Sequence, residues 1–228
     1  MSFVFPPIKT PSIAIEGSSD RFPIRRIFCV GRNYAKHVKE MGQDPERHPP
    51  FFFFKPADAI VENGGKVPYP TLTKELHYEI ELVVAIGKEL NAVEVKNAND
   101  GIFGYAVGID LTRRDIQMDA MRAGMPWDFG KAFDHSAPCA PIHRVEETGF
   151  IEDARIWLAV NGETKQDAKT SELIWNVPEL ISILSHGISL KPGDLIYTGT
   201  PAGVDAIVAG DVISGGVGNL TGIDIEIV

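Results

Sequence analysis

The sequence predicts an α+β fold that is rich in β-strands and has few, short helices. Two observations carry this prediction. Short apolar runs, many of them alternating with polar residues, recur along the chain and are separated by turn residues, which is typical of strands. Only a few segments repeat their apolar residues at helical spacing, and these do not alternate regularly with strands. A parallel sheet wound by helices on both faces is therefore not expected.

The composition is that of a globular protein with a substantial core, because 44% of the 228 residues are hydrophobic. We divide the chain into an N-terminal extension of short strands and turns, residues 1–25, and a main β-rich domain, residues 26–228. With 31 acidic and 22 basic residues the formal net charge is -9, which argues against a nucleic-acid partner. No signal peptide or membrane-length apolar segment is evident. We therefore expect a cytoplasmic protein without a membrane partner, whose Cys29 and Cys139 pack as free thiols.

The first elements of the main domain follow in order. RRIFCVG is a short apolar strand that ends at Gly31. In RNYAKHVKEMGQ, the residues Tyr34, Val38 and Met41 recur at helical spacing before Gly42, which predicts a short helix. The run FFFFKP has no polar position, so we predict a strand that is covered on both faces.

The segment HYEIELVVAIG raises the first question about function. Its even-numbered positions from 78 to 86 are all apolar, which predicts a strand and places His77, Glu79 and Glu81 together on the other face. Two residues apart on a strand, the glutamates have Cα atoms ~7 Å apart. A buried pair would need a proton, a basic partner or a cation. A solvated pair of glutamates is the ordinary alternative.

The second half contains further strands and helices. ELNAVEVKNANDGI predicts a turn and a short helix, FGYAVGIDLT a strand that runs up to Asp110, and TRRDIQMDAMRAG a polar helix. RIWLAVNGETKQDA has a hairpin signal at Asn161 and Gly162. NVPELISILSHG predicts an amphipathic helix that ends at Gly187, and the C-terminal tail reads as short strands separated by glycines.

Three carboxylates suggest a metal site. The signatures of serine hydrolases, P-loop nucleotide-binding proteins, zinc metalloproteases and dinucleotide-binding proteins are all absent. Asp110, at the end of an apolar strand, is an unexpected acid if it has no partner. Together with Glu79 and Glu81 it offers oxygen ligands that suit Mg²⁺ or Mn²⁺ better than zinc. The alternative is that Asp110 caps the following helix while the glutamates face water.

Five motifs occur together in this chain. GRNYAKHVKE, HYEIEL, GYAVGIDLTRRDIQ, DFGKAFD and YTGTPAGV resemble the fumarylacetoacetate hydrolase family in order and spacing, and they extend over nearly the whole chain. The resemblance implies a mixed-strand β-roll like the C-terminal domain of that family. It also implies a divalent metal held by Glu79, Glu81 and Asp110, and a homodimer.

The resemblance further implies roles for residues that have ordinary surface or turn interpretations on their own. It implies catalytic roles for His37, Glu40, Lys131 and Gln117 and substrate-binding roles for Arg114 and Thr200. His37 and Glu40 lie three residues apart on the predicted helix and share a face, so Glu40 could orient His37 as a base. Lys131 would offset the three carboxylates.

The resemblance also implies an activity. The separate N-terminal domain and extra metal-binding aspartate of fumarylacetoacetase itself have no counterpart here, so the chain resembles the short-chain branch that acts on acylpyruvates. The implied reaction is hydrolysis of a carbon-carbon bond in a 2,4-dioxo acid, in particular fumarylpyruvate to fumarate and pyruvate in gentisate breakdown. Decarboxylation of oxaloacetate, or isomerisation of a hydroxydienedioate, at the same metal site is the alternative. A metal-free glycosidase with paired carboxylates and a non-catalytic, metal-dependent carboxylate-binding protein are more distant alternatives.

Overall fold

A computed structural model describes residues 2–42, 44 and 47–228. The strands of this part of the chain are β1 Ser12–Ala14, β2 Arg21–Pro23, β3 Arg26–Gly31, β4 Phe51–Lys55, β5 Ile60–Glu62, β6 Lys66–Val67, β7 Leu76–His77, β8 Ile80–Ile86, β9 Ile102–Ile109, β10 Thr112–Arg113, β11 Ala137–Cys139, β12 His143–Arg144, β13 Arg155–Val160, β14 Glu163–Lys169, β15 Asp194–Tyr197, β16 Ala206–Ile207, β17 Val212–Val217 and β18 Ile223–Ile227. The α-helices are α1 Ala35–Glu40, α2 Arg114–Arg122, α3 Asp128–Lys131, α4 Val145–Thr148 and α5 Val177–Gly187, and 3-10 turns cover Ala57–Ala59, Val95–Gly101 and Thr170–Glu172.

The predicted β-rich α+β class is confirmed. An eight-stranded sheet has the order β4-β3-β15-β8-β9-β11-β5, with β12 also paired to β9. A five-stranded sheet has the order β14-β13-β17-β18-β6, and two smaller sheets consist of β10-β7-β16 and β1-β2. Both larger sheets are mixed, because β3 pairs with β15, β5 with β11 and β6 with β18 in parallel while their other neighbours are antiparallel.

Strand β8 lies inside the eight-stranded sheet and is buried on both faces. Leu82 and Val84 pack into the larger core, with residues of the five-stranded sheet and helix α5. Val83 and Ala85 pack into a second core on the opposite face, to which the N-terminal strands β1 and β2 contribute. The alternation of the sequence therefore separates two buried faces, and the face of Glu81 is buried as well as the face of Leu82.

The prediction that FFFFKP is covered on both faces is wrong. Strand β4 forms an edge of the eight-stranded sheet, where Phe51 is 41% and Phe54 is 45% exposed. An edge strand has a neighbour on one side only, so its side chains are covered only where a loop or helix passes over them. Trp127 supplies such cover, since its ring contacts the rings of Phe51 and Phe53.

The other local predictions agree with the structure. The hairpin of β13 and β14 turns at Asn161 and Gly162, which have φ values of 51° and 82°, as a tight two-residue turn requires. Helix α5 begins after Asn176, whose side chain accepts a hydrogen bond from the Glu179 amide. Cys29 and Cys139 are free and buried. In the described part of the chain, every helix is too short or too polar to cross a bilayer.

Candidate metal centre and active site

The three carboxylates predicted as metal ligands meet because of the register between β8 and β9. Ile80 pairs with Ile109, which places Asp110 beside Glu79, and the Asp110 amide donates to the Glu79 carbonyl at 2.8 Å. Glu81 lies two residues further along β8, on the same face as Glu79. One oxygen from each of Glu79, Glu81 and Asp110 lies within 4.8 Å of the others. We call these three buried residues the carboxylate cluster.

Cationic side chains offset two members of the carboxylate cluster. The Lys131 ammonium donates to Glu79 Oε2 at 2.9 Å, to Asp110 Oδ2 at 2.7 Å and to the Thr112 hydroxyl at 2.6 Å. The Arg114 guanidinium donates to the other oxygen of Glu79. Burial alone would raise the pKa of Glu79, but Lys131 and Arg114 hold it well below its usual range. The prediction that Lys131 lies against the carboxylates is consistent with this arrangement.

Lys55 is a fully buried partner of the cluster that the sequence did not reveal. Its ammonium lies 2.8 Å from Asp110 Oδ1, although the angles of a regular hydrogen bond are not met. The same ammonium donates to the Leu111 carbonyl at 3.0 Å and to the Lys131 carbonyl. Lys55 therefore joins β4 to the segments that carry both the acid and the lysine of the site. The only available signal was a lysine that ends an otherwise aromatic strand.

Glu81 is the member of the carboxylate cluster that lacks a cationic partner in the described part of the chain. Its Oε2 accepts the Gly199 amide at 2.8 Å. Burial raises the pKa of Glu81 well above its usual range, and the charges of Asp110 and Glu79 raise it further. A cation between the three carboxylates would reverse this effect. The donor set contains only carboxylate oxygens and thus fits a hard divalent cation such as Mg²⁺ or Mn²⁺.

His37 and Glu40, which we call the acid-base pair, lie together on helix α1. His37 is buried, and its Nδ1 is 3.2 Å from Glu40 Oε2. The Gly203 amide donates to both oxygens of Glu40, at 3.0 and 3.2 Å. Partial burial would raise the pKa of Glu40, but the hydrogen bonds with His37 and Gly203 lower it overall. The spacing of three residues thus produces the contact that the sequence suggested.

Asn33 anchors the start of helix α1 and was also missed as a site residue. Its side-chain amide donates to the Trp175 carbonyl at 2.9 Å and to the Thr198 carbonyl at 2.8 Å. Its side-chain oxygen accepts the Trp175 amide, and its backbone carbonyl accepts the Ile174 amide. A buried asparagine with all these bonds ties α1 to two separate loops.

Helix α2 presents Arg114 and Gln117 from one buried face, as their spacing predicts. Arg114 donates to Gln117 Oε1, which leaves the amide hydrogens of Gln117 for the pocket. Thr200 is held in a similar way, because the Gln166 amide donates to its hydroxyl oxygen at 2.8 Å. Gln166 also accepts the Ile80 amide at 3.0 Å, which links Thr200 to the strand of the cluster. Gln166 is fully buried on a hairpin strand whose sequence is mostly polar, so only the fold could reveal its role.

These side chains surround one pocket with a polar floor and largely apolar walls. It is lined by Val30, Gly31, Arg32, His37, Val38, Met41, Phe53, Glu79, Arg114, Gln117, Met118, Met121, Trp127, Lys131 and Thr200. Six of the nine predicted site residues are in this lining. The other three contact lining residues or lie beside them: Glu40 through His37, Asp110 through Lys131, and Glu81 beside Glu79. The alternative of solvated glutamates is wrong, since Glu79 and Glu81 are 5% and 1% exposed.

Comparison with known proteins identifies a family and relatives of similar sequence. The family model described as fumarylacetoacetate (FAA) hydrolase C-terminal matches residues 26–227. A fumarylpyruvate hydrolase from Ralstonia sp is 46% identical over 177 residues, which are 78% of this chain and 92% of that protein. The mitochondrial oxaloacetate tautomerase FAHD1 of Bos taurus is 40% identical over 193 residues, 85% of this chain and 87% of that protein.

A solved structure extends the similarity to the whole fold. The fumarylpyruvate hydrolase of Pseudomonas aeruginosa, crystallised in complex with Mn²⁺ and pyruvate, is 47% identical with a TM-score of 0.97. The match covers 100% of this chain and 99% of that one. The predicted fold type is thereby confirmed, and the chain belongs to the fumarylacetoacetate hydrolase family.

Proposed function

We propose that this protein is a metal-dependent hydrolase that cleaves a carbon-carbon bond in a 2,4-dioxo acid. The proposed substrate is fumarylpyruvate, which is split into fumarate and pyruvate during aromatic catabolism in the cytoplasm. The observation that carries the proposal is that the carboxylate cluster and the acid-base pair meet at one pocket. We further propose a homodimer in which residues 26–228 form the catalytic domain and residues 1–25 an extension.

The carboxylate cluster would hold Mg²⁺ or Mn²⁺. When bound, the cation supplies Lewis-acid chemistry, polarising the oxygens of an α-keto carboxylate. The Mn²⁺ and pyruvate in the similar Pseudomonas aeruginosa structure support this proposal. The argument that the carboxylate cluster suits a divalent cation depends mainly on Glu81. Its buried carboxylate faces two further acids and has no basic partner in the described residues.

His37 is proposed as the general base. An ionised carboxylate can only accept hydrogen bonds, so the contact between Nδ1 and Glu40 favours the tautomer with the proton on Nδ1 and a free lone pair on Nε2. Nε2 takes a proton from water as the water oxygen adds to the distal carbonyl carbon. The bond between that carbon and the neighbouring methylene carbon then breaks. The electron pair stays on the methylene carbon, which takes the proton back from His37 to give pyruvate, while the distal part leaves as fumarate.

The other polar groups are proposed to hold charge and to donate hydrogen bonds. The three N–H bonds of Lys131 are all directed at acceptors of the site, so it acts mainly through its positive charge. Gln117 and Thr200 retain unused donors, and we assign them to the oxyanion and to the substrate carboxylate respectively. Arg114 positions both Glu79 and Gln117 and adds positive charge for the same carboxylate.

The test is to measure the steady-state turnover of fumarylpyruvate in the presence of Mg²⁺ or Mn²⁺. The loss of its ultraviolet absorbance monitors the reaction. We expect activity that EDTA abolishes and that His37→Ala lowers by about 100- to 10,000-fold. His186→Ala is the matched control, because His186 is on the exposed end of helix α5. Turnover that survives EDTA, or that is the same in His37→Ala and in the wild type, would contradict the proposal.

A second candidate reaction uses the same site without an attacking water. The oxaloacetate tautomerase relative, at 40% identity, favours including oxaloacetate as a substrate. Decarboxylation of oxaloacetate and isomerisation of a hydroxydienedioate belong to the same class of metal-assisted reactions. A panel of fumarylpyruvate, acetylpyruvate and oxaloacetate separates them, and the proposed hydrolase has its highest kcat/KM on fumarylpyruvate.

A further inference from the structure

We propose that Arg32 binds the distal carboxylate of the substrate and makes the pocket selective for dicarboxylic over monocarboxylic acylpyruvates. The inference rests on the proposed function in one respect: the α-keto end of the substrate lies at the carboxylate cluster. It adds a residue that has no role in the reaction as described above.

The pocket changes character along its length. Helix α2 forms one wall, with Arg114 and Gln117 buried and bonded at the inner end, and Met118 and Met121 half-buried further out. From residue 114 to residue 121 the helix rises on the order of 10 Å. An extended seven-carbon dicarboxylate, with a bond from protein or metal at each end, has a comparable length. Fumarylpyruvate is such a molecule, so its second carboxylate would reach the apolar outer part of the pocket.

Arg32 lies at this outer end. Its Nη2 is 3.9 Å from the sulfur of Met121, and its guanidinium is 5.9 Å from the centre of the Trp127 ring. A guanidinium can stack on an aromatic ring and still use its edge to bind a carboxylate with two hydrogen bonds. The surroundings are apolar, which strengthens a contact between opposite charges once a ligand excludes water.

The other cations at the pocket are already engaged. Lys131 and Arg114 are paired with the carboxylate cluster, and Lys55 is buried against Asp110. Arg32 makes no ion pair with any acid of residues 2–42, 44 and 47–228 and is exposed to solvent. Of the two arginines that line the pocket, Arg32 is therefore the one that can bind a carboxylate without breaking an ion pair within the described residues.

The backbone conformation of Arg32 also supports a role in binding. Arg32 has a φ of 63°, in the left-handed region that favours glycine or asparagine. The next residue, Asn33, is held by four hydrogen bonds to two loops, so the turn that directs Arg32 is imposed by its surroundings. A non-glycine residue kept in such a conformation is a frequent feature of binding sites.

The test compares two ligands that differ only in the distal carboxylate. The Mn²⁺-loaded protein is titrated by calorimetry with 2-oxoheptanedioate and with 2-oxoheptanoate, neither of which has the 4-oxo group needed for cleavage. The variant Arg32→Asn removes the charge and tolerates a positive φ, and Arg32→Lys retains the charge. Arg122→Asn is the control, since Arg122 is exposed on helix α2 and paired with Asp119 outside the pocket.

We expect the wild type to bind the dioate more tightly than the monoacid. Arg32→Asn should raise the Kd of the dioate by about tenfold or more, the loss expected for hydrogen bonds between charged groups, and change the Kd of the monoacid less than about twofold. Arg32→Lys should recover part of the difference. In turnover assays, Arg32→Asn should lower kcat/KM for fumarylpyruvate much more than for acetylpyruvate, mainly through KM.

The outcomes distinguish this inference from the proposed function. Equal affinity of the wild type for both ligands, or an equal loss for both in Arg32→Asn, overturns the role of Arg32 and leaves the hydrolase proposal intact. Failure of the wild type to bind either ligand overturns both proposals, because the keto acid end would then not bind at the carboxylate cluster. If Arg122→Asn lowered the affinity for the dioate as much as Arg32→Asn does, the loss would come from the reduced positive charge of the protein as a whole. The inference would then be wrong.

Discussion

The two sides of the pocket are built in different ways. The carboxylate cluster lies on β8 and on the residues next to the ends of β8 and β9, two strands that are inside the eight-stranded sheet and have neighbours on both sides. The acid-base pair is carried by helix α1, which has six residues and is too short to be stable alone. Three cations are paired with Glu79 and Asp110 of the cluster, whereas α1 is held by Asn33 at its start and by Glu40 at its end.

The difference shows which task each side suits. A metal site needs ligands at fixed separations, and paired strands inside a sheet provide them. A catalytic base must approach substrate and water, and a short helix tied by a few hydrogen bonds can adjust or move to admit them. We therefore expect substitutions in the cluster to alter metal affinity or overall stability, and substitutions in α1 to alter turnover and the stability of one local contact.

The largest expected effect is on metal affinity. Glu81→Gln should reduce Mn²⁺ affinity by more than about 100-fold, because even residues that only support metal ligands cost up to that much. The melting temperature of the metal-free protein should hardly change. Burial and the charges of Asp110 and Glu79 raise the pKa of Glu81 and so disfavour its ionised form, while glutamine keeps the shape of the side chain and can accept the hydrogen bond from the Gly199 amide. Calorimetric titration and thermal unfolding measure the two quantities.

The two measurements would distinguish a role of Glu81 in metal binding from a role in folding. A strong loss of stability in metal-free Glu81→Gln would mean that Glu81 supports the sheet directly. Unchanged Mn²⁺ affinity would remove it from the ligand set.

The next effect is on stability. Lys55→Met leaves the fully buried Asp110 without its cation on one side, and breaking a buried pair costs about 3–5 kcal/mol. The free energy of unfolding should fall by that amount in chemical denaturation of the metal-free protein. Mn²⁺ should recover part of the loss, because a bound cation replaces the missing positive charge and stabilises the folded state.

Lys66→Met is the matched control. Its ammonium is also 2.8 Å from a carboxylate, that of Glu226, but the two side chains are 64% and 43% exposed. An exposed pair is worth about 0–1 kcal/mol. If Lys55→Met and Lys66→Met lowered the free energy of unfolding by similar amounts, the buried pair of Lys55 and Asp110 would contribute no more to stability than an exposed pair.

The smallest effect concerns the contact that holds α1. Glu40→Gln weakens the bonds from His37 and Gly203 and should lower the melting temperature by roughly 2–4 °C at pH 7, as for the loss of about 1 kcal/mol. The folded protein lowers the pKa of Glu40 below its ordinary value of 4.5, so the ionised carboxylate stabilises the fold above that pH. The advantage of the wild type should disappear as the pH falls through the lowered pKa.

Melting curves of both proteins between pH 7 and pH 3 measure this dependence. Glu94→Gln is the control, because Glu94 and its partner Lys96 are 70% and 76% exposed. A difference between Glu40→Gln and the wild type that is constant over the whole pH range would contradict the role of the charge, and α1 would then depend on packing alone.

Local patterns predicted most of the strands and helices and two of the contacts at the pocket, whereas the family resemblance supplied the roles proposed for the other site residues. Alternation in HYEIELVVAIG placed Glu79 and Glu81 on one face, and the spacing of three in HVKE placed His37 beside Glu40. Phe51 and Phe54 were the exception. The apolar run FFFFKP gave no sign that its strand would be an edge, because the position of a strand in a sheet depends on which other strands pair with it.

The sequence by itself determined the strands, the hairpin at Asn161 and Gly162 and the residue types of the site, because these depend on neighbours within a few positions. Only the tertiary structure decided that Lys55 neutralises Asp110, that Gln166 holds Thr200 and that Arg32 lies at the mouth of the pocket. Each of these contacts joins segments that are far apart in the chain. Such contacts form only when the sheets pack, since burial and pairing of charges are properties of the assembled core.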